Sequence, residues 1–460
     1  MRRIKELELK NWHFSDSKKP LILRGARQVG KSTLVRLFAK QNGLRLLEIN
    51  LEKRKQWNKL FEQNDVQKVI DEVEGLLDVK IDLSSKTQDV LFFDECQATP
   101  FLLGALRYFY EEYPQLSVIA AGSLLEFALE KYNSSLPVGR VEFMHLGPMN
   151  FQEYLWAMGE ENLAKDLAHF DFKKPISQSL HERALRHQRQ FLFIGGMPEA
   201  VLEFSKSNDP KRVRKILSEI LDLYKDDFNK YSRESFHPRL ELIIDYALSH
   251  VGEKVKYTNI SRDYEAKELR RGIQLLSQAK LLSKVQNVTC QGIPLQKGIQ
   301  ENTFKLLFLD VGLINIGLRF EWNEILNMSE RVLLHEGPLA EQFVGQNLRD
   351  NDDTFGESDL YYWLREGKSD AAEVDFVAQK GLSFVAIEVK SGTSGSMRSL
   401  HQWNKDIQYL KKHSLRFDLN LPSRFQVKLD VKNYDLISLP LYLAAFNPLK
   451  YFNSNTDSNE

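Results

Sequence analysis

Short, wholly apolar runs alternate along this chain with longer stretches in which apolar residues recur every third or fourth position, the patterns of buried strands and amphipathic helices. The run Pro20-Leu21-Ile22-Leu23-Arg24 predicts a first buried strand, and Leu34-Val35-Arg36-Leu37-Phe38-Ala39-Lys40 predicts a helix after it. Further strands are predicted over 45–50, 90–95, 116–123 and 141–146, with helical pattern over 52–83, 101–113 and 124–131; Pro114 stops the second of these. Strand and helix in alternation predict an α/β domain with a parallel sheet over residues 1–150.

Beyond it the pattern changes. Residues 151–233 read as helices in sequence, punctuated by Gly195-Gly196-Met197-Pro198, with Pro210 in the first turn of another helix. Three helices over 240–249, 258–261 and 266–279, followed by strand-like runs over 281–285 and 304–309, predict a winged helix-turn-helix over 234–320. Its polar residues Lys267, Arg270, Arg271 and Gln274 could face double-stranded DNA, and such a fold serves equally as a protein interface. Residues 325–450 predict a second α/β domain: a helix opening at His335-Glu336, strands over 360–365, 372–378 and 383–390, an amphipathic helix over 400–413 around Trp403, and a last apolar run over 434–445. Residues 451–460 form a polar tail.

The turn between the first strand and helix carries the clearest chemistry. Gly25-Ala26-Arg27-Gln28-Val29-Gly30-Lys31-Ser32, followed by Thr33, fits G-x-x-x-x-G-K-[ST] in its strand–loop–helix context. Glycines let successive N–H groups converge on an anion, and the helix N-terminus adds partial positive charge. Lys31 reaches the terminal phosphates, and the Ser32 hydroxyl is placed to ligand the Mg²⁺ that travels with ATP or GTP. An apolar strand ending in Asp94-Glu95 delivers two carboxylates to the same sheet edge: Asp94 for Mg²⁺ through water, Glu95 as base or positioning group for the attacking water. Ser123 is either a γ-phosphate sensor or the cap of the helix after it, and Arg140 either an arginine finger, in its own chain or a neighbour's, or a surface residue.

A second constellation lies near the C-terminus. Residues two apart in a strand share a face, so Glu388 and Lys390 point the same way, and Asp375 on the hairpin partner can sit beside them. Two carboxylates and a backbone carbonyl suit Mg²⁺ or Mn²⁺, Lys390 can orient an attacking water, and Glu341 from the preceding helix could supply a further ligand or hold an outer-shell water. This order, helix Glu, Asp, then Glu-x-Lys, resembles the PD-(D/E)xK nuclease fold, with Val374 where that motif has its proline. The same residues serve for binding without cleavage when the chemistry is lost.

Composition narrows the setting rather than the function. The 460 residues hold 63 Lys plus Arg and 63 Asp plus Glu, so a nucleic-acid surface would have to be local. Cys96 and Cys290 stand far apart without metal-ligand companions, which argues against a disulfide framework or zinc site and suits the cytoplasm. Neither a signal core at Met1-Arg2-Arg3 nor an apolar run able to span a bilayer is present, so no membrane partner is expected.

The segments Pro20 to Leu34 and Leu91-Phe92-Phe93-Asp94-Glu95-Cys96-Gln97, then Gly139-Arg140, Leu146-Gly147-Pro148-Met149-Asn150-Phe151-Gln152-Glu153-Tyr154-Leu155 and Gly195-Gly196-Met197-Pro198-Glu199-Ala200-Val201, appear in an order that resembles prokaryotic AAA-family ATPases carrying a C-terminal domain of unknown function. The resemblance covers nearly the whole chain. It implies ATP rather than GTP, a lid-like role for the helical middle, and a phosphate-sensing role for Arg140. Ser123-Leu124-Leu125 replaces a more polar serine run, and Cys96 stands where an aliphatic residue is usual. Two functions follow from the whole: an ATPase whose nucleotide cycle gates a fused metal-dependent nuclease, or an ATP-driven switch whose C-terminal parts bind a DNA or protein partner without cutting it. Either is compatible with a homo-oligomer.

Overall fold

The computed structural model describes residues 1–84, 87–123, 139–231, 236–319, 337–350, 360–367, 371–409, 411–428 and 433–452. The helix expected over 124–131, His335-Glu336 and residues 453–460 of the tail lie outside them. The chain divides into two compact units, one built on Met1–Pro148 together with Gln274–Leu281, the other on Met149–Ile273 and most of the chain from Leu282 onward.

The first unit is an α/β layer structure around a parallel sheet. Strands β1 (Leu21–Arg24), β2 (Arg45–Asn50), β3 (Asp89–Asp94), β4 (Ser117–Ala121) and β5 (Glu142–His145) stand in the order β2-β3-β4-β1-β5. Every pairing in it is parallel. Because both faces are covered, β3 is buried along its whole length, and its apolar interior drives that placement. Phe93 packs edge-on against Phe61 from the connecting helix Trp57–Glu62, with ring centroids 5.5 Å apart. Parallel strands end at the same edge of a sheet, so the turn after β1 and the acids at the end of β3, Asp94 and Glu95, emerge together.

The second unit begins with helices. Asn150 and Glu153 form a reciprocal capping box that starts the helix Phe151–Ala157. Helices Gln178–Ile194, Pro198–Ser207 and Pro210–Tyr231 follow, then His237–Ser249, Tyr257–Ile260 and Ala266–Gln278, of which the second unit takes the part up to Ile273. Between the first two of these, the Gly195-Gly196 turn is closed by Asp310, whose carboxylate accepts from the Gly196 N–H at 2.6 Å, the Gly312 N–H at 2.9 Å and the Gln346 amide at 2.9 Å. A side chain at Gly195 would collide with Asp310, its Cβ falling 1.9 Å from Oδ1, which explains glycine there.

Eight strands form the unit's mixed sheet: β6 (Leu282–Val288), β7 (Ile299–Phe308), β8 (Tyr361–Arg365), β9 (Ala372–Lys380), β10 (Ser383–Val389), β11 (Lys412–Asp418), β12 (Ser423–Val427) and β13 (Tyr434–Pro440), in the order β12-β13-β11-β10-β9-β8-β6-β7. The β6–β7 hairpin, expected as the wing of a separate segment over 234–320, is hydrogen-bonded through β6 to β8, so it shares a sheet with the 325–450 segment. That pairing covers an edge that would otherwise be open. The helix expected over 400–413 runs instead over Arg398–Asp406, and the chain from Lys412 turns into β11, parallel to β10.

Candidate nucleotide site and a buried carboxylate–lysine cluster

At the C-terminal edge of β1 the backbone curls sharply. Gly25 has φ +153° and Gly30 has φ +92°, while Gln28 takes a left-handed φ of 61°. Val29 and Ala26 are buried and anchor the loop, and the helix Lys31–Gln41 starts at its end, where unpaired N–H groups and partial positive charge collect at a helix N-terminus. Arg3, which the pattern reading missed, braces this loop from the N-terminal helix region: its guanidinium donates to Val29 O at 2.8 Å and Gly147 O at 2.7 Å. Its only sequence signal is a charged residue near an otherwise unremarked terminus.

Lys31 lies folded against the loop, its ammonium donating to Gly25 O at 2.9 Å and Ala26 O at 2.7 Å. Burial lowers its pKa to about 8, with Glu95 and Asp94 pulling the other way. The Ser32 hydroxyl donates to Asp94 Oδ1 at 2.9 Å, bringing together the hydroxyl and carboxylate that magnesium chemistry requires. Burial also raises the Asp94 pKa, offset by the Ser32 hydrogen bond. Arg36, one turn beyond Ser32, has a nitrogen 3.9 Å from Asp94 Oδ2 and is itself held by Glu48 of β2. Thr33 faces outward and is exposed.

Glu95 has φ 57°, a left-handed conformation that a non-glycine residue adopts at a cost. Its carboxylate accepts from the Gln97 amide at 2.5 Å, so Gln97 fixes where it points. Ser123 is buried just beyond β4. Its neighbour Gly122 packs against the Cys96–Gln97 turn, where a Cβ would fall 2.5 Å from Gln97 Oε1. Arg140 is half-exposed, 3.3 Å from Glu111 and over the ring of Tyr110. Its recorded partners are therefore on the helix Phe101–Glu112, not on the phosphate loop.

In the second unit, the ladder between β9 and β10 runs as far as Phe376 opposite Ile387. Beyond that point the Asp375 carboxylate takes over, accepting from the Val389 N–H at 2.7 Å. Glu388 is buried, pairs with Lys390 through one oxygen and has no partner on Oε2. Its pKa is pushed up to about 8 by burial and then by Asp375, against the pull of Lys390. Glu341 projects from the helix Gly337–Arg349, its pKa also raised to about 8 by burial, with Lys305 opposing. Lys305 of β7 was not foreseen. Its ammonium is 2.7 Å from Glu341 Oε1, 2.7 Å from Glu373 Oε1 and 3.7 Å from Asp375 Oδ1. A charge inside an apolar strand, Phe304-Lys305-Leu306, is the signal that could have found it. Among the described residues no group of three or more His, Cys, Asp or Glu side chains is arranged to hold a metal ion. Lys267, Arg270, Arg271 and Gln274 are exposed on the helix Ala266–Gln278.

Comparison with known families matches residues 17–155 to the AAA domain, residues 185–324 to a domain of unknown function (DUF8612) and residues 336–442 to another (DUF4143). Among solved structures, the Walker-type ATPase PABY2304 of Pyrococcus abyssi is similar at 16% identity and TM-score 0.42, over 68% of this chain and 94% of that one. The Aeropyrum pernix ORC1 protein in complex with DNA is similar at 13% identity and TM-score 0.27, over 69% and 93%. PCH-2 of C. elegans follows at 17% identity and TM-score 0.25, over 41% and 56%. No curated protein matches the chain. Residues 17–155 thus resemble an AAA domain, and the parallel five-stranded sheet with its loop after β1 is consistent with a P-loop nucleotide-binding domain. Among the described residues no helix is long and apolar enough to cross a membrane.

Proposed function

We propose that this protein binds ATP with Mg²⁺ at the 25–33 loop, hydrolyses it, and uses the nucleotide state to govern what its second unit does with DNA or a protein partner. The observation that carries the reading is the Ser32–Asp94 hydrogen bond beside the buried Lys31 ammonium. A hydroxyl and a carboxylate on one side and an ammonium on the other are the donor set that a magnesium–triphosphate pair fits. Ser32 and Asp94 would hold the ion, which when bound neutralises charge across the β- and γ-phosphates. Lys31 exchanges its two carbonyl partners for phosphate oxygens, and the loop amides take the rest. Glu95, aimed by Gln97, is the group that positions and deprotonates the attacking water. Ser123 acts as a sensor at the end of β4, and Arg140 contributes in trans when a second copy presents it. A cytoplasmic setting suits the two buried free cysteines.

For the second unit two versions stand. Gated cleavage of DNA by a PD-(D/E)xK-like module is favoured by Asp375, Glu388 and Lys390 standing together, with one Glu388 oxygen unpartnered. A switch that binds without cutting is favoured by Lys305, which already engages the acids. Arg270 and Arg271, exposed beside the hairpin, are the residues through which DNA would be held. The deciding experiment measures ATP turnover and plasmid nicking with Mg²⁺ or Mn²⁺ in the wild type, Lys31→Ala and Lys390→Ala. Turnover lost only in Lys31→Ala supports the ATPase; turnover indifferent to Lys31 refutes it. Nicking lost in Lys390→Ala with turnover intact selects cleavage, and its absence throughout selects the switch.

A further inference from the structure

Lys305 is 1% exposed, and an isolated ammonium at that depth would be prohibitively costly. Three carboxylates from two elements surround it: Glu341 from a helix, and Glu373 and Asp375 from one face of β9. An ammonium has three N–H donors, and Glu341 and Glu373 accept at ordinary hydrogen-bond distance while Asp375 lies nearest the third. This is coordination by hard oxygens, the kind of shell a divalent ion would otherwise gather.

Most of the other oxygens have partners of their own. Asp375 Oδ2 serves the Val389 N–H, Glu373 Oε2 lies 3.3 Å from Lys254, and one Glu388 oxygen holds Lys390. The backbone closes over the cluster at Gly252, where a Cβ would fall 2.9 Å from Glu341 Oε2. Among the buried side-chain oxygens of this cluster that are described, Glu388 Oε2 is without a partner, and a single such oxygen does not make the shell of a divalent cation. The carboxylates expected as a second metal site therefore do not fit a metal in this arrangement.

We infer that Lys305 is the resident cation of this cluster: its ammonium fills the place of a divalent ion, so that the wild-type second unit takes none, and removing the ammonium creates a divalent-metal site. The inference rests on the binding version of the function proposed above and deepens it, because a site with its own cation has no metal to activate water.

The test titrates the full-length chain with Mn²⁺ in the absence of nucleotide, following free Mn²⁺ by electron paramagnetic resonance. Wild type, Asp375→Asn, Lys305→Met and Lys305→Met/Asp375→Asn are compared, and only binding that depends on Asp375 is read, which sets aside any ion held near Asp94. Wild type is expected to show no Asp375-dependent Mn²⁺ binding, and Lys305→Met to bind Mn²⁺ about tenfold or more tighter than the double variant Lys305→Met/Asp375→Asn. Asp375-dependent binding in the wild type overturns the inference, as does a folded Lys305→Met that binds none. Should Lys305→Met fail to fold alone, Mn²⁺ is expected to restore its melting transition, and failure to do so also overturns the inference. ATP turnover, read separately, keeps this outcome distinct from the fate of the ATPase reading.

Discussion

The carbonyl oxygen of Leu146 lies 2.1 Å from where a Cβ on Gly25 would stand. The phosphate loop and the segment leaving β5 are in backbone contact at that point, which only glycine permits. Leu146 itself is tied to β1, its N–H donating to Arg24 O at 2.8 Å, so the segment cannot easily retreat.

Gly25→Ala is therefore expected to disrupt the loop rather than be absorbed. Backbone strain at φ +153° alone costs roughly 1–3 kcal/mol, and the clash with a carbonyl adds to it. Chemical denaturation should show a lower midpoint, and a fluorescent ATP analogue should no longer bind. An unchanged midpoint with normal binding would show that the β5 segment yields.

The Lys31 ammonium predicts how ATP affinity varies with pH. Burial lowers its pKa to about 8 in the free protein, and a bound triphosphate would hold the proton on. Below that pH the lysine is charged before and after binding, so affinity is level. Above it, binding must take up a proton, and affinity falls by up to about tenfold per pH unit. Calorimetry at pH 8.5 in two buffers of different ionisation heat should reveal that uptake; affinity constant to pH 9.5 would contradict it.

Asp310 is the acceptor on which the Gly195-Gly196 turn and the helix Gly337–Arg349 converge. Asp310→Ala would leave the Gly196 N–H, the Gly312 N–H and the Gln346 amide buried without acceptors. Each stranded donor costs about 1–3 kcal/mol, so the variant is expected to lose 3 kcal/mol or more, or not to fold. Asp310→Asn keeps one acceptor and should fall between it and wild type in urea denaturation.

What could be read from the sequence follows from where apolar pattern and chemistry coincide. The loop at Gly25 to Thr33 and the acids after β3 were legible because buried parallel strands read as unbroken apolar runs and the loop demands particular residues. Strand β11 was not, because His413-Ser414-Leu415-Arg416-Phe417-Asp418 looks half polar, whereas Ser414, Arg416 and Asp418 are all buried. Two of them are satisfied by partners from other elements, Asn404 for Ser414 and Ser438 for Asp418, and Arg416 pairs with Asp418 along the strand. Lys305 escaped for the same reason: its acids arrive from Glu341 and Glu373, and no local spacing announces a partner supplied by another element.

Glu388 predicts a pH dependence of stability. Its carboxyl pKa is raised by burial to about 8 in the folded chain, against about 4.5 when unfolded. A raised carboxyl pKa means the native state binds the proton more tightly. The stabilisation it brings is complete below the unfolded value and is lost as pH rises through the folded one. Burial raises the Asp375 and Glu341 carboxyls in the same direction. Between pH 5 and pH 9, wild type should therefore lose stability on the order of a few kcal/mol more than Glu388→Gln, which carries no proton to lose. Melting temperatures of the two proteins, measured with a chelator present, should diverge with rising pH in favour of the variant. Parallel curves across that range would mean that Glu388 is ionised throughout and that Lys390 and the surrounding dipoles fully offset its burial.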